Sequence, residues 1–184
     1  MVKRFLEAAG LPEGRSKREF LWTPQELELV SAVAEFPADV DFLLTCSRRG
    51  LEIACRGIVY TTVEVQCVRC LEKFPVEIRE EVEFLVRLTA GAPLSVELWE
   101  EDLARVDPHS GKVDLSPRVR DAVILAVPRY PLCSPDCKGL CPICGANLNK
   151  TTCEHYQTQQ TPQKEIDPRW EVLVQYLESQ KNKK

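Results

Sequence analysis

The residues of this sequence best suited to chemistry are its nine cysteines in a chain of 184 residues. Five of them fall between positions 133 and 153, and the stretch 141–145 reads Cys-Pro-Ile-Cys-Gly. The odd number of cysteines excludes complete pairing within one chain. Clustered thiols that stay reduced are typical of metal or redox chemistry. The C-terminal cluster predicts a bound zinc ion, because zinc favours a tetrahedron of thiolate and imidazole ligands.

The Cys-x-x-Cys turn at 141–144 is the best pair of zinc ligands. Its two sulfurs project to one side of a tight turn, and Gly145 permits the positive φ that closes the turn. Four other residues are candidates for the remaining positions, and one thiol is expected to be left over. The first two are preferred and the last two are substitutes: Cys137, Cys153, Cys133 and His155.

The cysteine-rich segment 129–156 has too few large apolar residues to fold by itself. They are Leu132, Leu140, Ile143 and Leu148. Ordering a chain costs about 1–2 kcal/mol per residue, whereas a structural zinc contributes about 10–16 kcal/mol. The sequence therefore predicts about one structural zinc per chain and a module that is disordered without metal.

A second Cys-x-x-Cys, at Cys67 and Cys70, leaves three interpretations open. The pair could be half of a zinc site, a redox pair, or two small thiols in a tight turn with a structural or binding role. A thioredoxin-type active site is disfavoured, because its Cys-x-x-Cys opens a helix. Here Leu71–Pro75 leads into a strand. We expect that the pair is not a redox catalyst.

Composition indicates a soluble protein without catalytic motifs. The net charge of −4 and pI of about 5.4 give no electrostatic footprint for wrapping nucleic acid. The longest aliphatic run, Ala122–Val127, is too short to span a bilayer, and the N-terminus has no signal-peptide core. Phosphate-binding loops, HExxH and GxSxG are absent. We therefore expect a cytoplasmic protein with no membrane partner, no evident small-molecule substrate and no enzymatic activity.

Alternating hydrophobicity predicts a β-rich core over about 26–88. The pattern is clearest in Phe74–Val86, where Glu80 interrupts the buried face and suggests a bulge or two strands. Shorter alternating runs cover 40–44, 51–55 and 63–67, and Arg48-Arg49-Gly50 predicts a hairpin turn. The predicted fold class is α+β: an antiparallel β meander or partly closed barrel, with packed helices and a C-terminal zinc-binding module.

Helices are predicted around this core. Residues 1–20 suggest a short helix and an arm, and residues 89–113 suggest a loop region. Ser116 can cap a helix that Pro117 opens and Pro128 stops. A last helix begins at Asp167-Pro168 and carries the apolar stripe Trp170, Leu173, Val174 and Leu177.

These elements predict four segments. They are an N-terminal arm (1–25), a β-rich core with a closing helix (26–128), a cysteine-rich zinc module (129–156), and a linker with a C-terminal helix (157–184).

The two cysteine motifs together resemble those of the YceD-like family. The stretch Cys67–Phe74 resembles its Cys-x-Arg-Cys-Leu signature, and residues 133–149 resemble its cysteine-rich tail. The resemblance covers about residues 3–180. The chain departs from the family at Asp121, where a glutamate is expected, and at His155, where a sixth cysteine is common. The second departure leaves open whether position 155 is a ligand.

This resemblance implies a role in the accumulation of large-subunit ribosomal RNA and no established enzymatic activity. The leading hypothesis is a non-catalytic factor in large-subunit assembly, with ribosomal RNA or a ribosome-assembly protein as partner. If RNA is bound, the local candidates are Arg69, Lys73 and Lys138. The alternatives are a thiol redox enzyme that uses Cys67 and Cys70, or a zinc-ribbon protein-interaction module in another pathway.

Overall fold

The computed structural model describes residues 5–92, 95–96, 102–109, 111–155 and 170. Within these residues the chain is mostly sheet, with one α-helix. The elements are β1 (Phe5–Glu7), β2 (Gly14–Trp22), β3 (Ala34–Glu35), β4 (Val40–Arg49), β5 (Glu52–Gln66), β6 (Lys73–Leu88), β7 (Ser95–Val96), β8 (Leu103–Val106), β9 (Lys112–Asp114) and α1 (Ser116–Ala126).

The strands form two sheets. The larger has the order β2-β4-β5-β6-β8, with β3 paired to β5, and the smaller has the order β1-β9-β7. The predicted antiparallel meander is confirmed in β4, β5 and β6. The predicted barrel closure is wrong for the described residues, because the larger sheet runs as an open path from β2 to β8. Its last pairing, β6 with β8, is parallel.

The longest pairing in the molecule joins β5 to β6. It runs from Glu52 opposite Arg87 to Gln66 opposite Lys73 without an inserted residue. The predicted bulge or break at Glu80 is therefore wrong: Glu80 lies opposite Val59 in an unbroken register and is exposed. The hairpin before β5 is confirmed, and its turn residues are Gly50 and Leu51.

Two segments that lacked a clear strand pattern nevertheless form strands. Residues 1–20 were expected to hold a short helix and an arm, but β1 and most of β2 lie there. Residues 89–113 were expected to be a loop, but they contain β7, β8 and part of β9. Most of these strands are only two to four residues long, and so short a strand carries little alternation.

Helix α1 contributes Val119 and Val123 to the same buried core as the strands. Ser116 does not cap it. The cap residue is Leu115, and the Ser116 N–H donates to Asp114 Oδ1 at 2.9 Å. The helix ends before Pro128, as predicted. No helix of the described residues is long and apolar enough to cross a membrane.

The chain divides into two compact units, Met1–Cys137 and Lys138–Lys184. The four segments expected from the sequence stay predictions. The expected C-terminal helix lies outside the described residues except for Trp170, which is exposed.

An aromatic cluster fills the core between β2 and β4. The rings of Phe20 and Trp22 stack at 5.3 Å between centroids, and Phe42 lies 6.2 Å from each of them. Phe42 fits because the neighbouring position on β5 is Gly57. A Cβ atom at Gly57 would lie 2.3 Å from Phe42 Cε2. Close packing around this ring therefore requires glycine at position 57.

We predict that Gly57→Ala lowers the free energy of unfolding by about 1–3 kcal/mol, the usual cost of overpacking a filled core. Urea denaturation measures it. Gly10→Ala is the matched control, because a Cβ there would meet only Glu7 O at 3.8 Å. Equal stability of the two variants would contradict the packing described for Phe42.

Candidate metal centres

Seven cysteines and His155 gather into two groups of potential metal ligands. The first thiol group consists of Cys67, Cys70, Cys133 and Cys137. The second thiol group consists of Cys141, Cys144, Cys153 and His155. Within each group, one ligand atom from every residue lies within 4.8 Å of the others. Each group lies inside one of the two compact units.

The structure distributes the five predicted ligands between these groups. Cys141, Cys144 and Cys153 lie together, with His155 as their fourth neighbour. Cys137 and Cys133 lie instead with Cys67 and Cys70, which are more than 60 positions earlier in the chain. Spacing alone favoured Cys137 for the C-terminal cluster, because nothing local signals a partner so distant in sequence.

The first thiol group is built on the turn between β5 and β6. This turn is closed by the pair Gln66–Lys73. The Leu71 N–H donates to Cys67 O at 3.0 Å, and the Cys67 N–H donates to Glu72 O at 2.9 Å. Leu71 adopts a φ of 59°, in the left-handed region that glycine prefers. We call residues 66–73 the first knuckle turn.

The second thiol group is built on a turn of the same design. Its closing pair is the isolated bridge Leu140–Asn147. The Gly145 N–H donates to Cys141 O at 2.9 Å, and the Cys141 N–H donates to Ala146 O at 2.8 Å. Gly145 has a φ of 71°. We call residues 140–147 the second knuckle turn; position by position, its hydrogen bonds and left-handed residue repeat those of the first.

A short segment after α1 brings the remaining two cysteines to the first knuckle turn. The Val68 N–H donates to Pro131 O at 3.0 Å, and Arg69 Nη1 donates to Cys137 O, also at 3.0 Å. These contacts place the sulfurs of Cys67 and Cys137 3.8 Å apart and those of Cys70 and Cys133 3.5 Å apart. Both separations are far longer than the ~2.05 Å of a disulfide.

Burial differs between the two groups. Cys67 is 0% exposed, Cys70 and Cys137 are each 4% exposed, and Phe74 packs against the cluster that they form. In the second group only Cys141 is buried. The second knuckle turn has little apolar support, since Ile143 is 61% exposed. Backbone hydrogen bonds such as Leu148 N–H to Gly139 O, at 3.0 Å, hold it instead.

Each knuckle turn contains one thiol with a lowered pKa. Burial alone would raise the pKa of Cys67, but three backbone N–H groups point at its sulfur and lower the pKa to about 6; they belong to Cys133, Cys70 and Arg69. The N–H groups of Cys144 and Ile143 likewise lower the pKa of Cys141 to about 7, against the effect of burial. A preformed thiolate suits metal binding, because the thiolate is the form that coordinates.

The last two cysteines belong to the core of the larger sheet. Cys46 and Cys55 face each other across β4 and β5, with their sulfurs 3.3 Å apart and both side chains buried. Neither belongs to the two thiol groups. The nine cysteines therefore divide into four, three and two.

Comparison with known proteins places this chain beside factors named for ribosomal RNA. The family model described as "Large ribosomal RNA subunit accumulation protein YceD" matches residues 55–176, which include both thiol groups. An uncharacterized protein of Mycobacterium tuberculosis is 32% identical, over 82% of this chain and 67% of its own length. No solved structure matches.

A plant relative carries the functional name. The maize protein called "Large ribosomal RNA subunit accumulation protein YCED homolog 1, chloroplastic" is 28% identical, over 61% of this chain and 48% of its own length. The Arabidopsis thaliana protein of the same name is 41% identical, over 30% of this chain and 17% of its own length.

Leu71 yields a test of the first knuckle turn. A left-handed conformation costs a residue with a side chain about 1–2 kcal/mol, and glycine avoids this cost. We predict that Leu71→Gly leaves the free energy of unfolding unchanged or raises it by up to about 1 kcal/mol. Leu71→Val should lower it by about 1 kcal/mol, because β-branched residues are least tolerated at positive φ.

Since Leu71 is 53% exposed, lost packing contributes little to either variant. Urea denaturation at a fixed zinc concentration measures both. A Leu71→Gly variant that is less stable than Leu71→Val would show that the turn does not hold residue 71 at positive φ.

Proposed function

The chain belongs to the YceD family, and from this membership we propose that it supports the accumulation of large-subunit ribosomal RNA as a non-catalytic factor. The observation that carries the proposal is the family match over residues 55–176, together with plant relatives named for this role. In this proposal the protein acts in the cytoplasm during large-subunit assembly or precursor handling.

The chemistry of the two thiol groups supports a non-catalytic role. Each group offers four protein ligands, and a metal with four protein ligands keeps no open position for substrate. Cys67, whose thiol has a lowered pKa of about 6, is fully buried. A closed thiolate site stabilises the fold without binding a substrate itself. A partner would then contact the protein surface rather than the metal.

We propose that zinc is the cofactor and that the second thiol group holds it. Three thiolates and one imidazole are a donor set typical of structural zinc. This set keeps Cys141, Cys144 and Cys153 from the sequence-based prediction and takes His155 as the fourth ligand in place of Cys137 or Cys133. Bound zinc would supply the folding free energy that the few buried apolar residues of 138–155 do not.

Removing this site should unfold its surroundings selectively. We predict that the double variant Cys141→Ser with Cys144→Ser loses one zinc per chain and that amides in 138–155 exchange rapidly. Amides in β4, β5 and β6 should stay protected, because their core is separate. Hydrogen exchange with mass spectrometry, alongside metal analysis, measures both effects. Cys46→Ala serves as the control, and slow exchange across 138–155 in metal-free protein would contradict the proposal.

The proposed partner is a ribosome-assembly protein or ribosomal RNA itself. The charges near the first knuckle turn favour the protein. Lys73 already pairs with Glu35 at 2.6 Å and with Glu64 at 3.4 Å, and Arg69 donates to a carbonyl. Two of the three cations named for RNA contact are therefore already engaged, and the net charge of −4 does not favour a polyanion. Co-purification with and without nuclease separates direct protein contact, which survives digestion, from contact through RNA.

A genetic experiment tests the function itself. In a host lacking its own family member, the wild-type chain should restore the ratio of large-subunit to small-subunit ribosomal RNA. The variant Cys67→Ser with Cys70→Ser should restore it less well, because it disrupts the turn on which the first thiol group is built. Cys46→Ala should behave as wild type. An unchanged rRNA ratio in the host without any family member would contradict the proposed function.

One observation favours a second candidate, a thiol redox enzyme. Cys67 has a pKa of about 6 and a neighbouring thiol in Cys70, as a redox pair requires. Against it, both side chains are buried, so a disulfide substrate has no access to either sulfur. Turnover of a disulfide substrate by the wild-type protein, lost in Cys67→Ser, would favour this candidate.

A further inference from the structure

The two knuckle turns share one backbone design, but they differ in sequence at the residue four positions after the first cysteine. In each turn the first cysteine directly follows the first residue of the closing pair. That pair is Gln66–Lys73 in the first turn and Leu140–Asn147 in the second. Each has the same two backbone hydrogen bonds and one left-handed residue after the second cysteine. In the second turn that residue is Gly145, and a glycine after Cys-x-x-Cys predicts a positive φ. In the first turn it is Leu71, a residue type that does not predict a positive φ.

The backbone conformation of Leu71 is unfavourable, and other interactions must stabilise it. Its left-handed conformation costs about 1–2 kcal/mol, and its exposed side chain recovers little of that by packing. The surroundings hold it in place: Gln66 Nε2 donates to Leu71 O at 2.9 Å, and the Leu71 N–H donates to Cys67 O at 3.0 Å. Strain of this kind is typical of positions where the backbone serves a binding site.

We infer that the first thiol group is a second, independent zinc site, in which Cys67 and Cys70 of the sheet and Cys133 and Cys137 of the segment after α1 are the four ligands. A tetrahedral zinc with Zn–S bonds of ~2.3 Å requires sulfurs about 3.8 Å apart. The separations of 3.8 Å and 3.5 Å match this requirement with little rearrangement. All four sulfurs already lie within 4.8 Å of one another.

The chemistry of the donors selects the metal. Four thiolates in a tetrahedral arrangement suit zinc or iron and exclude magnesium and calcium, which prefer oxygen. Zinc leaves the site without redox chemistry, and three of its four thiols, those of Cys67, Cys70 and Cys137, are buried. The bound ion and four thiolates would carry a net charge of −2, and the backbone N–H groups aimed at Cys67 partly offset it.

An ion at this site would crosslink two segments of the first compact unit, and we call this crosslink the clasp. Cys67 and Cys137 are 70 positions apart, so one ion ties the β5–β6 hairpin to the segment that follows α1. Leu132 and Tyr130 of that segment are exposed, and its direct links to the knuckle turn include two hydrogen bonds, from Val68 and from Arg69. The clasp does not depend on the second thiol group or on the proposed role in ribosomal RNA accumulation.

Metal counting in single-site variants tests the inference. Native mass spectrometry and elemental analysis of protein purified without added metal should give two zinc ions for wild type. Cys133→Ser and Cys144→Ser should each give one zinc ion, and Cys46→Ala should give two. One zinc in wild type that Cys133→Ser leaves in place would overturn the proposal, and iron in place of zinc would overturn the metal assignment.

A second measurement keeps the test decisive if Cys133→Ser fails to fold. Cobalt titrated into metal-free Cys144→Ser should bind at one tight site and give the visible bands and the strong sulfur-to-metal charge transfer of a tetrathiolate. The double variant Cys144→Ser with Cys70→Ser should lose this spectrum. A cobalt spectrum of octahedral type in Cys144→Ser, or none, would show that the first thiol group is not a metal site.

Discussion

The uninterrupted pairing of β5 with β6 is the constraint on which the first thiol group depends. A buried thiol resists ionisation, yet the N–H groups of Cys133 and, within the first knuckle turn, of Cys70 and Arg69 bring the pKa of Cys67 down to about 6. The turn has this geometry because β5 and β6 stay paired without a bulge as far as Gln66 and Lys73. One slipped residue would reverse which face carries Cys67. The long hairpin is thus what orients the first thiol group.

The sequence predicted the parts of this molecule that are local. Alternation identified β4, β5 and β6, and the Cys-x-x-Cys-Gly pattern identified the second knuckle turn together with Cys153. It could not assign Cys133 and Cys137 to Cys67 and Cys70, because that choice depends on the path of the chain after α1. It also missed the short strands of 89–113, which are held by pairing rather than by a pattern of their own. The Cys67–Cys70 pattern left half of a zinc site, a redox pair and a tight turn open, and only the structure reveals the positive φ of Leu71.

Both thiol groups solve the same physical problem, which is how to order chain segments that bury few apolar side chains. With zinc bound as proposed, the first group would secure the segment around 131–137 to a well-packed sheet, and the second group would organise a turn with little core of its own. Closed sites of this kind provide shape and rigidity. Such a contribution suits the non-catalytic role proposed for this chain, and the family match includes every one of the eight candidate ligands.

Zinc K-edge X-ray absorption on the purified wild-type protein tests the central claim most directly, because it reports the average ligands of every bound ion. Two filled sites predict a first shell of seven sulfurs to one nitrogen over both ions, with Zn–S near ~2.3 Å and Zn–N near ~2.0–2.1 Å. A shell of three sulfurs to one nitrogen would mean that only the second thiol group binds zinc. A shell dominated by oxygen would contradict thiolate ligation at either knuckle turn.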